Sequence, residues 1–351
     1  MRFEPKIYTV ESVTSGHPDK VCDQISDAVL DECLRQDPTS RVGVEVMGSH
    51  GLVVIGGEVT TRAKVDYEAI ARQIHTEVGY SNVIEVKAHV SEQAPEIARG
   101  VDTGGAGDQG IMYGYATSET PEFLPRGVVL AHALARRLEQ LRTVGEIIWL
   151  KPDGKTQVTA ENGRTLTVLV SAQHTPEVGL DELRSVLTAK LIAPLVQDMG
   201  GIEVLVNPTG TFTSGGFEAD AGLTGRKIMV DTYGGLIPHG GGCFSGKDPT
   251  KVDRSGAYMC RFVAKNLVAA GLGKECLVSV AYAIGRAEPL MVEAVNEKQE
   301  SLSDYVRQRF DFRPQAIIER LGLRRPLYRA TATYGHFGKA GLPWEELVVL
   351  G

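Results

Sequence analysis

A chain of 351 residues, 42% apolar and 23% charged, has the length of two or three globular domains and the composition of a water-soluble protein. Its net charge of −7 excludes a broad basic face for nucleic acid or an anionic membrane, so any polyanion site must be a local cationic pocket. The first twelve residues hold no signal-like apolar core, no run reaches membrane-spanning length, and five scattered cysteines give neither a disulfide framework nor a zinc motif, so a cytoplasmic setting is expected.

In chain order, the first helix is expected from about Asp19 to Arg35, after Gly16-His17-Pro18, with Val21, Ile25 and Val29 at helical spacing. A hairpin follows, in which Val42, Val44 and Val46 alternate, Ser49-His50-Gly51 turns, and Leu52 to Ile55 returns. Tyr67, Ile70, Ala71, Ile74 and Val78 mark a second helix stopped by Gly79, and Ile84, Val86, Ala88 and Val90 mark a strand. The order then recurs. A helix from about Gly127 to Arg142 precedes strands at Thr156–Ala160 and Thr165–Ser171, joined through Asn162-Gly163, whose residues tolerate the positive φ of a tight hairpin. A helix over Leu180–Val196 and a strand over Ile202–Val206 complete that unit. A third pass opens with a helix near Val252–Ala270, continues with strands at Leu277–Ile284 and Leu290–Val295, and ends in helical segments around Leu302–Phe310 and Pro314–Leu321.

Helix, hairpin and helix thus recur at intervals of roughly 100 residues, too long for a solenoid and suited to three similar α/β units. Boundaries at 1–100, 101–214 and 215–351 are expected. Glycine-rich stretches at Gly100–Gly110, Gly210–Gly225 and Gly234–Gly246 lie between the regular elements, where backbone can approach a ligand closely.

Two familiar patterns fail on context. Gly105-Ala-Gly-Asp-Gln-Gly110 reads as a dinucleotide fingerprint, but a loop precedes it and an extended segment follows, where that motif needs a strand and then a helix. Gly241 to Lys247 reads as a P-loop, yet Asp248 stands where a magnesium-binding hydroxyl belongs. Asp19, Asp23, Asp27 and Asp31 fall on one helix face, where a solvated stripe is the ordinary expectation. Lys247 and Lys251 sit at the start of a helix, where the dipole opposes positive charge, which suggests a compensating anion. Arg226-Lys227 after Gly225 and Lys155 after Gly154 repeat the pairing of cation and glycine. Together they describe a pocket for several phosphates, with Asp19 and Asp253 as candidate magnesium ligands.

The combination resembles the S-adenosylmethionine synthetase family. The resemblance rests on Gly16-His-Pro-Asp-Lys-Val-Cys-Asp-Gln-Ile-Ser-Asp-Ala-Val-Leu-Asp31, Gly105–Gly110, Pro152-Asp-Gly-Lys-Thr-Gln-Val158, Gly222-Leu-Thr-Gly-Arg-Lys-Ile228, His239–Ser255 and Tyr334-Gly-His-Phe-Gly338, spread over nearly the whole chain. It implies an α/β (α+β) fold of three structurally similar domains about a pseudo-threefold axis. It also implies a reaction in which methionine sulfur attacks the ribose 5′ carbon of ATP and the whole triphosphate leaves, then is hydrolysed to phosphate and diphosphate. A thioether is already a neutral nucleophile, so the absence of a nucleophile–base constellation is expected.

By resemblance His17 meets the bridging 5′ oxygen, and Lys155, Arg226, Lys227 and Lys247 meet the phosphates. Asp19 and Asp253 match the magnesium carboxylates, with two Mg2+ per site, and Glu45 matches a potassium ligand. Methionine is assigned to Glu58, Gln93, Asp220 and Lys251, and adenosine to Asp153, Phe212, Asp220 and the backbone near Cys243. A homodimer with shared sites, paired into a tetramer, is implied, with no nucleic-acid or membrane partner. The chain departs from the family pattern at Ser15, usually acidic, at Cys243, usually alanine, and through Gly210-Thr-Phe-Thr-Ser-Gly-Gly-Phe-Glu-Ala-Asp220, which lacks an arginine and a P-x-G turn. The loop between Gln93 and Gly105 is shorter than usual, with Glu96 where aspartate is common.

Overall fold

A computed structural model describes residues 5–93 and 104–350. Helix α1 (Pro18–Gln36) starts on a His17 cap with Pro18 at its first position, and β2 (Arg41–Ser49) and β3 (Leu52–Thr60) form the expected hairpin. Helix α2 (Tyr67–Glu77) and β4 (Glu85–Ser91) follow, and β4 pairs in parallel with β3. The second pass has α3 (Arg126–Thr143), the hairpin β6 (Leu150–Glu161) and β7 (Arg164–His174), α4 (Leu180–Leu187) and β8 (Glu203–Val206), which pairs in parallel with β7. The third has α5 (Val252–Ala269), β10 (Glu275–Tyr282), β11 (Met291–Asn296), α6 (Ser303–Arg309) and α7 (Pro314–Leu321). The helix expected through Val196 is interrupted after Leu187 by a π-helical turn at Thr188–Ile192 ahead of Pro194, a residue without an amide to continue the ladder.

Each hairpin accepts a strand from elsewhere in the chain. β1 (Ile7–Val13) pairs antiparallel with β6, giving the order β1-β6-β7-β8. β5 (Gly110–Thr117) pairs with β10, giving β11-β10-β5. The two-residue β9 (Gly222–Leu223) pairs with Met47 and Gly48, giving β4-β3-β2-β9. The sheets β4-β3-β2-β9 and β1-β6-β7-β8 therefore share one plan: a hairpin, a parallel strand on one edge, and a distant strand on the other.

Helices occupy the middle. Of the 19 residues of α1, 14 are buried, and of the 18 of α5, 16 are, so neither helix keeps a broad solvent face. One core joins α1, β2 to β4, β5, α5, β10 and α7, and a second joins α3, β1, β6, β7 and α4. Packing is close enough to exclude a methyl group: a Cβ on Gly114 of β5 would lie 2.1 Å from the Cys260 carbonyl carbon of α5.

That enclosure corrects the expectation of a solvated aspartate stripe. Asp19, Asp23 and Asp27 are each no more than 1% exposed, because α1 has structure on every side. A carboxylate in that setting needs donors, and each finds a backbone amide in the stretch between Leu223 and Gly246. No helix among the described residues is long and apolar enough to cross a membrane.

Candidate active site

The site grows from the start of α1. His17 caps the helix with its ring: Nδ1 accepts the Asp19 amide at 3.2 Å, so the ring proton of the neutral form sits on Nε2. Burial, then the charges of Lys227, Lys155 and Lys20, push the imidazole down to about 3, and the nearby Asp19 offsets this only in part. His17 is therefore a neutral donor among cations.

Asp19 Oδ2 receives Lys227 Nζ at 2.6 Å, Oδ1 receives the Leu223 amide at 3.0 Å, and Arg226 Nε stands 3.6 Å away. Burial works against this carboxylate, but Lys227 and the Leu223 amide outweigh it and hold the group below its usual range. Lys155 lies on β6 opposite Val13, exposed, and its charge reaches both His17 and Asp153. Asp153 is buried; Oδ2 accepts the Gly216 amide at 2.9 Å, while Oδ1 has no partner. Burial raises this carboxyl to about 6, against the Gly216 amide and Lys155, and Asp220 adds to the rise. An acceptor left bare in a buried position is a place for a ligand donor. Phe212, half-buried, is tied to β7 in both directions: its amide reaches His174 Nε2 at 3.0 Å, and its carbonyl accepts the His174 amide at 2.9 Å.

A second group gathers around the start of α5. Lys247 Nζ meets Asp253 Oδ2 at 2.6 Å. Burial disfavours the ammonium, but Cys243, Asp253 and Glu45 around it reverse the effect and hold its pKa above the usual lysine value. Lys251 pairs with the buried Asp248, which accepts the Val42 amide at 2.7 Å. Glu45 and Glu58 are exposed on the hairpin face away from α1, Glu58 opposite Gly43. A Cβ on Gly43 would be 3.9 Å from Lys251 Cε, so the lysine stem passes over that glycine. Gln93 joins the same end of the sheet: its amide donates to Thr60 Oγ1 at 3.2 Å and its Oε1 is buried without a partner. Glu96 and most of the loop after Gln93 lie outside the described residues.

The structure thus brings His17, Asp19, Arg226, Lys227, Lys155, Asp153 and Asp220 into one group, and Lys247, Asp253, Cys243, Glu45, Lys251, Glu58 and Gln93 into another. The charge of Asp220 reaches Asp153. The groups touch where Gly225 packs on Cys243: a Cβ at 225, where φ is 79°, would lie 2.5 Å from Cys243 Cβ. The buried partners Lys20, Asp23, Asp27 and Arg254 escaped sequence reading. The sequence carries no signal for their burial, because the aspartates share one face of α1 opposite Val21, Cys22, Ile25 and Val29, as they would on a solvated helix.

Among the described residues no three His, Cys, Asp or Glu side chains form a metal cage. Asp19 and Asp253 are lone carboxylates beside cations, which fits Mg2+, an ion that keeps waters and shares itself between one or two carboxylates and substrate phosphates.

Comparison with known proteins converges on one family. The model for the S-adenosylmethionine synthetase N-terminal domain matches residues 5–99, that for the central domain 103–212, and that for the C-terminal domain 214–346. An S-adenosylmethionine synthase of Pseudothermotoga lettingae is 50% identical, over 97% of this chain and 96% of the relative. Those of Thermus thermophilus and Staphylococcus epidermidis are 48% and 45% identical, over 97% and 99% of this chain and 96% and 97% of the relatives. Three domain models in sequence along the chain and relatives near 50% identity over nearly its whole length lead to one conclusion: the chain belongs to the S-adenosylmethionine synthetase family.

Proposed function

We propose that this chain catalyses the family reaction, ATP + L-methionine + H2O to S-adenosyl-L-methionine + phosphate + diphosphate, through the two groups of residues described above. The observation that carries the assignment of roles is His17, neutral, with its proton on Nε2, and flanked by Lys155 and Lys227. A neutral N–H beside cations donates to the bridging 5′ oxygen as negative charge develops on the leaving triphosphate, without itself giving up a proton at the start. Arg226, Lys227, Lys155 and Lys247 receive the phosphate oxygens. Their present partners Asp19 and Asp253 preorganise the cations, so less reorganisation is needed when charge appears.

The bare Oδ1 of Asp153 accepts a donor from the adenosine, with Phe212, Asp220 and the backbone at Cys243 completing that pocket. Glu58, Gln93 and Lys251 take the methionine ammonium and carboxylate, and Asp220 joins them from the other group. That division supports a homodimer in which facing sheets bring one subunit's hairpin residues to the other's His17 group, and two dimers make the tetramer. Asp19 and Asp253 would hold two Mg2+ and Glu45 a K+; bound magnesium neutralises triphosphate charge. The chain works in the cytoplasm, with domains at 1–100, 101–214 and 215–351.

Purified protein supplied with ATP, Mg2+ and K+ tests this directly. S-adenosylmethionine, phosphate and diphosphate should form only when methionine is present. ATP turnover indifferent to methionine would overturn the reading.

A further inference from the structure

The four aspartates of α1 stand at a four-residue pitch, about 6 Å along the helix. Asp19 accepts the Leu223 amide, Asp23 the Gly225 amide at 2.9 Å, and Asp27 the Gly246 amide at 2.9 Å. Asp31 accepts the Tyr328 and Arg329 amides, each at 2.9 Å. One helix therefore sets the spacing between the loop bearing Arg226 and Lys227 and the loop bearing Lys247.

Asp27 has a further partner. Arg254 of α5 meets it in a two-pronged pair, Nη1 to Oδ1 at 2.6 Å and Nη2 to Oδ2 at 2.9 Å, with both side chains no more than 1% exposed. Arg254 Nη1 also donates to the Phe244 carbonyl at 2.9 Å and the Lys247 carbonyl at 3.2 Å. The segment Phe244–Lys247 is thus clasped at three backbone groups: one amide by Asp27, two carbonyls by Arg254. Beneath it, Gly246 is pressed on β2 so closely that a Cβ would fall 1.9 Å from the Val44 oxygen. Lys247 Nζ leaves this clasp toward Asp253.

A buried ion pair returns little net stability, because desolvation consumes most of its attraction. Apolar residues would fill the space as well. What they could not do is fix three polar backbone groups at once, and those groups span the four residues that end in Lys247. We propose that Asp27 and Arg254 are positioning residues for Lys247: they touch no substrate and set the backbone from which its ammonium meets the leaving triphosphate. The inference rests on the phosphate-binding role given to Lys247 above.

The same helix supplies a control. Arg261 meets Glu345 at 2.9 Å through both Nε and Nη2, and donates to the carbonyls of Tyr115, Glu122 and Phe123, none of which carries a site residue.

The test is a double-mutant cycle on the full chain, following S-adenosylmethionine formation. Asp27→Asn and Arg254→Lys should each lower kcat roughly 10- to 100-fold, with the KM for methionine within about twofold of the parent. In a Lys247→Ala background the same changes should cost less than about a further twofold, since the group they position is gone. Glu345→Gln should cost the same factor in both backgrounds. If Arg254→Lys also costs the same factor in both, Arg254 acts only on the fold and the inference is overturned. An unchanged kcat in Lys247→Ala alone would overturn the role of Lys247 and the clasp with it. Should Asp27→Asn fail to fold, Arg254→Lys carries the cycle: it keeps the charge beside Asp27 and loses the fork that reaches the two carbonyls.

Discussion

His17 does two jobs with one ring, and the first dictates the second. By accepting the Asp19 amide, Nδ1 leaves the proton on Nε2, the atom that would meet substrate in the proposed function. The Gly16-His-Pro-Asp sequence shows a helix start, but which nitrogen carries the proton depends on the cap geometry and is invisible in the letters. The unfolded ring takes a proton near 6.5, whereas the folded ring resists until about 3. Its contribution to stability is thus complete above about 6.5 and is lost as the pH falls from there toward 3, at up to about 1.4 kcal/mol per pH unit. Histidine-selective NMR should find the His17 ring neutral at pH 5, and His17→Asn should flatten the acid side of the stability profile relative to the parent. Lys247 is the companion case for catalysis. Lys247→Ala should lower kcat by about 100-fold or more while leaving the melting temperature within a few degrees, since in the proposed function its ammonium acts on developing charge. Steady-state kinetics and thermal denaturation on the same preparation check both halves.

Helices and hairpins were legible because their apolar periods are strong: Val42, Val44 and Val46 alternate into the core, and Asn162-Gly163 turns a hairpin with both residues at positive φ. The incoming strands β1 and β9 were not. β9 has two residues, too few for any period, and β1 shows its buried face only at Val10, Ser12 and Val13. Glycine marks where elements meet most closely. At Gly114 the α5 backbone lies against the strand, with Cys260 and Arg261 main-chain atoms 2.1 to 2.5 Å from a would-be Cβ. Neither backbone can yield as a flexible side chain would. Gly114→Ala should therefore destabilise the protein by about 1 to 3 kcal/mol, read as a lower denaturant midpoint at unchanged slope. The aspartate stripe teaches the converse: spacing placed the four carboxylates on one face, and only the packing of the C-terminal loops could tell that the face is interior.

Three sheets share three segments of chain, each sheet borrowing a strand or an edge from another segment. Such interleaving couples the units. Residues 1–103 alone would keep α1 but lose every loop that satisfies its aspartates, exposing a helix of buried carboxylates to water or stranding them in a core. That fragment should not show a cooperative melt, and the full chain should unfold in one calorimetric transition rather than three. Most of the site's outline was readable at this scale, since its cations sit beside glycines in the sequence. The division of those cations into two groups was not, because it depends on which loop each aspartate holds. The helix that holds them behaves like a toothed key, and a key has no tolerance for a shifted tooth. Inserting one residue between Asp23 and Asp27 would rotate everything beyond by about 100° and slide it by about 1.5 Å, so that Asp27 would lose Gly246 and Arg254 together. Substitutions along α1 can be tested one at a time, but its length is a single indivisible quantity. Chimeras should therefore exchange this helix only together with residues 222–256 and 328–329, the lock it was cut for.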